Sequence, residues 1–183
     1  VLMKPSSGMC NMHCDYCFYC DEMQKREQES YGFMSEETLK NVIRRTMVHA
    51  RRQVNYAYQG GEPALRGLDF FRKAVEFQNK YNRRGIQVHN AFQTNGHLLD
   101  EEWCRFLAEN HFLVGLSVDG TKETHDACRH DKKGSGTYDV VTKAAALMDA
   151  YGVEYNILTV VTEKTAAGID EIYKAYSRRG WNY

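Results

Sequence analysis

Residues 54–63, with the sequence VNYAYQGGEP, join a short run of β-branched and aromatic residues to an abrupt glycine turn. Such a run is typical of a buried strand, and a Gly-Gly pair directly after it ends the strand. From about residue 69 the apolar side chains recur at helical spacing. The stretch therefore predicts one strand–loop–helix unit.

The same unit recurs along the 183 residues. The predicted strands cover residues 1–3, 54–58, 86–93, 112–118 and 153–162, and the predicted helices begin near residues 35, 69, 100, 138 and 166. Strands that alternate with helices imply βαβ units and a parallel sheet. We expect an α/β fold, specifically a partial (β/α)6 TIM-like barrel that is truncated after about five βα units, with a sixth strand beginning at residues 181–183. The expected organisation is one incomplete domain over residues 1–183.

Composition excludes several classes of function. Lys plus Arg and Asp plus Glu both number 24, so the net charge is zero, and the basic pairs are scattered along the chain. Nucleic-acid binding is therefore not expected. No apolar run approaches the roughly 18 residues that a membrane span needs, and no signal-peptide pattern is present. We expect a cytoplasmic protein without a membrane partner.

The chemistry is concentrated in residues 10–17, CNMHCDYC, with the spacing C-x3-C-x2-C. Clustered thiolates select zinc, copper(I) or iron–sulfur centres. A four-iron cluster usually takes four cysteines, so three would leave one iron open to a small molecule. A zinc site formed by these cysteines with Cys20 or His13 is the alternative, although zinc sites usually add a distant second ligand pair.

Three polar or glycine-bearing segments follow predicted strands, at residues 59–62, 93–96 and 117–120. Because the carboxyl ends of parallel strands meet at one edge of the sheet, these segments should lie beside the cysteine loop. The Gly60-Gly61 pair would let backbone carbonyls approach a ligand closely, or it is an ordinary turn. Tyr19 either faces a substrate or is a core or rim tyrosine.

The cysteine motif resembles the cluster loop of the radical S-adenosylmethionine (SAM) superfamily, including the aromatic Tyr16 before the last cysteine. The GGEP segment at residues 60–63 resembles that superfamily's second signature. More narrowly, KPSSG at 4–8, CFY at 17–19, QTNG at 93–96 and LVGLSVDG at 113–120 resemble the anaerobic sulfatase-maturating enzymes. The resemblance runs along essentially all 183 residues.

The resemblance implies two cofactors, a [4Fe-4S] cluster and SAM. It implies that Cys10, Cys14 and Cys17 bind the cluster and that Cys20 does not. The implied SAM contacts are Tyr16 near the adenine, Gln59, Gly60, Gly61 and Glu62 near the methionine end, Ser117 near the ribose, and Arg129. Arg129 would pair with a carboxylate or the ribose, or it is a surface arginine.

The resemblance also implies the reaction, in which SAM is cleaved reductively to a 5′-deoxyadenosyl radical that oxidises a cysteine or serine of a sulfatase to Cα-formylglycine. Its partners would be the sulfatase polypeptide and an electron donor such as flavodoxin or ferredoxin. The catalytic base is expected beyond Tyr183, in an absent C-terminal domain with auxiliary clusters. The alternatives are another peptide-modifying radical enzyme, for thioether formation or peptide-cofactor maturation, and a non-enzymatic iron–sulfur or zinc module.

Overall fold

The computed structural model describes residues 1–181. The strands in this range are β1 (Leu2–Met3), β2 (Met12–Cys14), β3 (Gln53–Tyr58), β4 (Gln87–Thr94), β5 (Phe112–Ser117), β6 (Arg129–Asp131) and β7 (Tyr155–Leu158). The α-helices are α1 (Phe18–Gln24), α2 (Glu36–His49), α3 (Leu68–Tyr81), α4 (Glu101–Glu109), α5 (Lys122–Asp126), α6 (Tyr138–Tyr151), α7 (Glu163–Ala167) and α8 (Ile169–Arg178). A sixth strand was predicted to begin at residues 181–183, and the part of it after Trp181 lies outside the described residues.

Five strands form one parallel sheet in the order β1-β3-β4-β5-β7. Every neighbouring pair is parallel, and the register places Tyr58 opposite Phe92 and Ser117 opposite Leu158. The predicted α/β fold with a parallel sheet is confirmed. Across residues 1–181 the sheet is open, as expected for a partial (β/α)6 TIM-like barrel.

Long amphipathic helices cover one face of this sheet, and the core lies between them. Alternate strand residues such as Tyr58, Phe92 and Val114 are buried there. Phe71 of α3 makes edge contacts with Tyr58, Phe92 and Trp103, with ring centroids 5.1–5.3 Å apart. Because the helices bury this face, the opposite face and the carboxyl edge of the strands remain available for a site.

A second, two-stranded sheet was not predicted from the sequence. It pairs β2 antiparallel with β6, so that Cys14 lies opposite Arg129. Each strand has three residues, and the two are separated by more than a hundred residues of chain. Such short segments carry no periodic signal, and only the tertiary fold brings them together.

The prediction of a strand over residues 153–162 was too long, because β7 ends at Leu158. The next residues are β-branched but leave the sheet: the Thr159 hydroxyl donates to the Val118 carbonyl, and the Val160 N–H donates to the Asp119 carboxylate. The helix predicted from residue 166 is two helices, and Thr162 begins the first of them with a capping box. Tertiary hydrogen bonds override the strand propensity here.

No helix in the part of the chain that the structure covers is long and apolar enough to span a bilayer.

Candidate active site

The three cysteines of the motif occupy successive structural positions in the loop after β1. Cys10 precedes β2, Cys14 ends it, and Cys17 is the N-cap of α1. A backbone hydrogen bond of 2.9 Å from the Cys17 N–H to the Cys14 carbonyl closes the turn between the last two. All three are partly buried and line a single cavity of about 470 Å³.

The remaining walls of this cavity come from the carboxyl ends of the parallel strands, as the sequence predicted. Besides the cysteines, it is lined by Tyr16, Phe18, Tyr19, Gln59, Gly61, Gln93, Thr94, Asn95, Ser117, Arg129, Leu158, Thr159 and Val160. The structure therefore brings together five of the seven residues proposed for SAM contact, and Tyr19 with them. Gly60 and Glu62 do not line the cavity, and their placement near a methionine end stays a prediction.

Glu62 lies behind the cavity wall, where it is only 1% exposed. Its carboxylate accepts hydrogen bonds from the Ala64 N–H, the Thr94 hydroxyl and the Asn95 N–H at 2.7–2.9 Å. Burial raises the pKa of Glu62 to about 7, although these three donors act in the opposite direction. The side chain thus joins the loop after β3 to the loop after β4.

Gly61 is required for a close contact between two backbones. A Cβ at this position would lie 2.1 Å from the carbonyl oxygen of Met9, and the backbone has a φ of +54°. The adjacent Glu62 N–H donates to the same Met9 carbonyl at 2.8 Å. The glycine therefore lets the loop after β3 pack directly on the cysteine loop, in addition to any approach to a ligand.

Asp119, at the end of the segment that follows β5, is the most connected side chain of the site. Its carboxylate accepts from Arg129 Nε at 2.7 Å, from Arg129 Nη2 at 3.3 Å and from the Val160 N–H at 2.9 Å. The Tyr16 hydroxyl also donates to it. Asp119 is 1% exposed and Arg129 is 7% exposed, so Arg129 is a buried, carboxylate-paired arginine rather than a surface residue.

The Arg129 guanidinium also lies over the Tyr16 ring, 5.4 Å from its centroid. Its Nη1 lies 4.0 Å from the Cys14 sulfur. Burial raises the pKa of the Tyr16 hydroxyl, and the hydrogen bond to Asp119 adds to that rise while Arg129 opposes it. Tyr16 therefore stays protonated and donates.

His125 supports the Asp119–Arg129 pair through hydrogen bonds. It is fully buried, and burial together with Arg129 lowers its pKa to about 4. The neutral ring accepts a hydrogen bond from the Asp119 N–H at Nδ1, and its Nε2 pairs with the Thr137 hydroxyl. The Thr137 hydroxyl also donates to the Arg129 carbonyl. One imidazole thus links the backbones of both members of the ion pair.

Burial keeps the thiols of Cys10 and Cys14 protonated unless a metal binds them. Burial raises the pKa of Cys10, and it raises the pKa of Cys14 to about 12 although Arg129 opposes the rise. Burial likewise raises the pKa of Cys20 to about 11, but Cys20 does not line the cavity. Metal binding would have to displace these protons.

The donor set fits an iron–sulfur cluster better than a single ion. Among residues 1–181, no three His, Cys, Asp or Glu side chains converge on one point as a mononuclear site requires. In an iron–sulfur cluster each thiolate binds a different iron, so the cysteine sulfurs are arranged around the cluster and do not converge on one ion.

Sequence reasoning missed the roles of Asp119, Asn95 and His125. The first two lay inside segments that were correctly placed at the strand ends, but several of their partners are distant in the chain. His125 carried no spacing signal at all. For Asp119 and Asn95, the only signal in the sequence was that each is a polar residue after a buried strand.

The chain is similar to proteins of known family along its whole length. The family described as the Radical SAM superfamily matches residues 5–175. The chain is 44% identical over 183 residues to a cysteine-type anaerobic sulfatase-maturating enzyme of Clostridium perfringens, covering 100% of this chain and 50% of that protein. It is 36% identical over 184 residues to a serine-type enzyme of Bacteroides thetaiotaomicron, covering 100% of this chain and 44% of that protein.

Solved structures show the same similarity. "Native anSMEcpe with bound AdoMet" matches with a TM-score of 0.95 at 44% identity, covering 100% of this chain and 50% of that one. A spore photoproduct lyase matches with a TM-score of 0.72 at 13% identity, covering 97% of this chain and 51% of that one, and shows the shared fold alone. The chain spans about half the length of the curated relatives it matches.

Replacing Gly61 by alanine is expected to destabilise the protein more than the same change at Gly85. Both glycines have similar positive φ values, +54° and +62°, but a Cβ at Gly85 meets nothing within 4 Å. Gly85→Ala should cost about 1–2 kcal/mol for the left-handed backbone alone. Gly61→Ala adds the clash with Met9. Urea unfolding of the metal-free protein measures both, and equal losses would contradict the backbone contact.

The stability of the metal-free protein should fall between about pH 4.5 and pH 7 because of Glu62. In this window the unfolded chain has lost the Glu62 proton while the folded protein, with its raised pKa of about 7, retains it. The folded state binds more protons, so rising pH favours unfolding, by about 3 kcal/mol over the window. Unfolding free energies measured against pH should decline less steeply in Glu62→Gln, whereas parallel profiles would refute the assignment.

Proposed function

The chain belongs to the radical SAM superfamily, and from that membership we propose that it is the cofactor-binding part of an enzyme that oxidises a cysteine or serine of a sulfatase to Cα-formylglycine. One observation carries the proposal: the three motif cysteines and the ends of β3, β4, β5 and β7 line the same cavity. Its volume of about 470 Å³ falls within the range of about 300–1,000 Å³ that is usual for ligand pockets.

We assign Cys10, Cys14 and Cys17 as the ligands of a [4Fe-4S] cluster and the adjoining cavity as the SAM site. The bound cofactors would supply one-electron reduction and the removal of a hydrogen atom from the substrate. The protein's own contribution is to hold the ligands, to orient SAM and to limit access of water.

The polar cavity residues suit the parts of SAM. The Ser117 hydroxyl, which accepts a hydrogen bond from Gln93 Nε2 at 3.2 Å, lies at the end of β5 where a ribose hydroxyl could pair with it. Gln59 and Gly61 follow β3 and would face the methionine end, with Gly60 and Glu62 shaping their loop. Tyr16 and Arg129 would face the adenine and ribose, and Asp119 fixes the position of both.

The apolar residues of the cavity would restrict water around the reacting atoms. Leu158 and Val160, at and just after the end of β7, and Phe18 and Tyr19, at the start of α1, all line the cavity. The Tyr19 ring is held by Phe18, at a centroid distance of 4.2 Å, and by the Lys4 ammonium at 5.0 Å. We propose Tyr19 as a contact of the peptide substrate.

Similarity to the named relatives supports the choice of substrate. Identity to the cysteine-type enzyme is 44% and to the serine-type enzyme 36%, so we propose a cysteine as the preferred target residue. "Native anSMEcpe with bound AdoMet and Cp18Cys peptide" matches this chain with a TM-score of 0.93 at 44% identity, covering 100% of this chain and 48% of that one.

Further partners and location are part of the same proposal. The base, the auxiliary clusters and the acceptor of the second electron would lie outside residues 1–183, and a flavodoxin or ferredoxin would supply the first electron. All six cysteines are unpaired, which suits a reducing compartment such as the cytoplasm.

The proposal is tested with the full-length protein, reconstituted anaerobically with iron and sulfide and supplied with SAM, a reductant and a sulfatase-derived peptide. We expect 5′-deoxyadenosine, and an aldehyde in the peptide that a hydrazide probe traps. A peptide with cysteine at the target position should be converted faster than one with serine. Cleavage of SAM with a thioether product would instead indicate another peptide-modifying reaction, and no cleavage would refute the enzyme assignment.

The ligand assignment predicts different outcomes for two neighbouring cysteines. Cys14→Ala should abolish the cluster, whereas Cys20→Ala, one helical turn beyond Cys17 and off the cavity, should retain it. Iron content and the visible absorption of the reconstituted proteins measure the difference. Equal loss in the two variants would show that the ligands are misassigned.

A further inference from the structure

The sulfur of Cys10 faces two nitrogen donors from different parts of the chain. The Met12 N–H lies 3.5 Å from it, and Asn95 Nδ2, from the loop after β4, lies 3.6 Å from it. Asn95 Nδ2 also donates to Asn11 Oδ1 at 2.9 Å. A residue 85 positions away thus contacts both the proposed ligand and its neighbour.

The orientation of the Asn95 amide follows from its other hydrogen bond. Its Oδ1 accepts from the His97 N–H at 3.0 Å, so the NH₂ group is the one that points to Cys10. The backbone of Asn95 is held in turn by the Glu62 carboxylate, at 2.7 Å from the Asn95 N–H. Asn95 is 8% exposed and Glu62 is 1% exposed, so both residues are buried.

An N–H donor on a thiolate sulfur favours whichever redox state carries more negative charge. Reduction of an iron–sulfur cluster adds one electron, part of whose charge reaches the ligating sulfurs. Hydrogen bonds to these sulfurs are among the features that set the reduction potential of such clusters. The effect is greater in the low dielectric of a buried site, and Asn95 is buried.

We propose that Asn95 is a positioning residue that orients Cys10 and raises the reduction potential of the cluster bound at the cysteine loop. The inference rests on the proposed function, since it requires a cluster on Cys10. The proposal also assigns a second role to the buried Glu62 carboxylate. Besides joining two loops, Glu62 holds the Asn95 backbone, and this backbone points the Asn95 side-chain amide at the Cys10 sulfur.

The test measures the midpoint potential of the reconstituted full-length protein by a redox titration followed by electron paramagnetic resonance, without SAM. Asn95→Leu removes both N–H donors at similar volume, and Asn95→Asp removes them and adds a negative charge. Asn156→Leu, an exposed asparagine on β7, is the matched control. We expect the midpoint potential to become more negative in Asn95→Leu, more negative still in Asn95→Asp, and to stay unchanged in Asn156→Leu.

Iron content and thermal melting of the metal-free proteins accompany each titration. A potential equal to wild type in Asn95→Leu, at full iron content, overturns the proposal. If both Asn95 variants fold but hold only as much iron as Cys14→Ala, the residue is needed for cluster assembly instead, and the tuning role is overturned as well. If the wild type itself holds no more iron than Cys14→Ala, the proposed function is refuted, an outcome that the same measurement distinguishes.

Discussion

The buried ion pair between Asp119 and Arg129 is the interaction on which the geometry of the site depends. Asp119 ends the segment after β5, and its four hydrogen bonds reach the cysteine loop through Tyr16, the two-stranded sheet through Arg129 and the chain beyond β7 through Val160. Removing one member of such a pair costs about 3–5 kcal/mol, because it leaves an uncompensated charge in the interior. The pair is therefore a constraint on the positions of these segments more than a net source of stability.

Glu62 plays the corresponding part on the other side of the cavity. Burial raises its pKa, and the partners of its carboxylate within residues 1–181 are neutral donors from the loops after β3 and β4. Each of the two carboxylates thus supports a different wall of the cavity. Asp119 positions Arg129 and Tyr16 on one wall, and Glu62 positions Asn95 against Cys10 on the other. Both act from behind the lining, where they leave the cavity free for a ligand.

The predictability of each feature follows from the range of the interactions that create it. Helical periodicity and β-branched runs are local, so the parallel sheet and the helix from Tyr138 to Tyr151 were predicted correctly. The end of β7 was not, since hydrogen bonds from Val160 and Thr159 to the segment after β5 draw the chain out of the sheet. For the same reason Arg129 could not be distinguished from a surface arginine until its partner, ten residues away, was placed beside it.

The sequence by itself determined the class of fold, the family and the residues of the cysteine loop, because each depends on spacing within a short stretch of chain. It also placed the segments after β3, β4 and β5 at one edge, since parallel strands leave no other arrangement. Only the tertiary structure decided which polar side chains face the cavity and which support it. Glu62 looks like a site residue in the sequence, and Asp119 shows there only as a polar residue after a strand, yet burial and the hydrogen bonds of partners far along the chain make both part of the framework of the cavity.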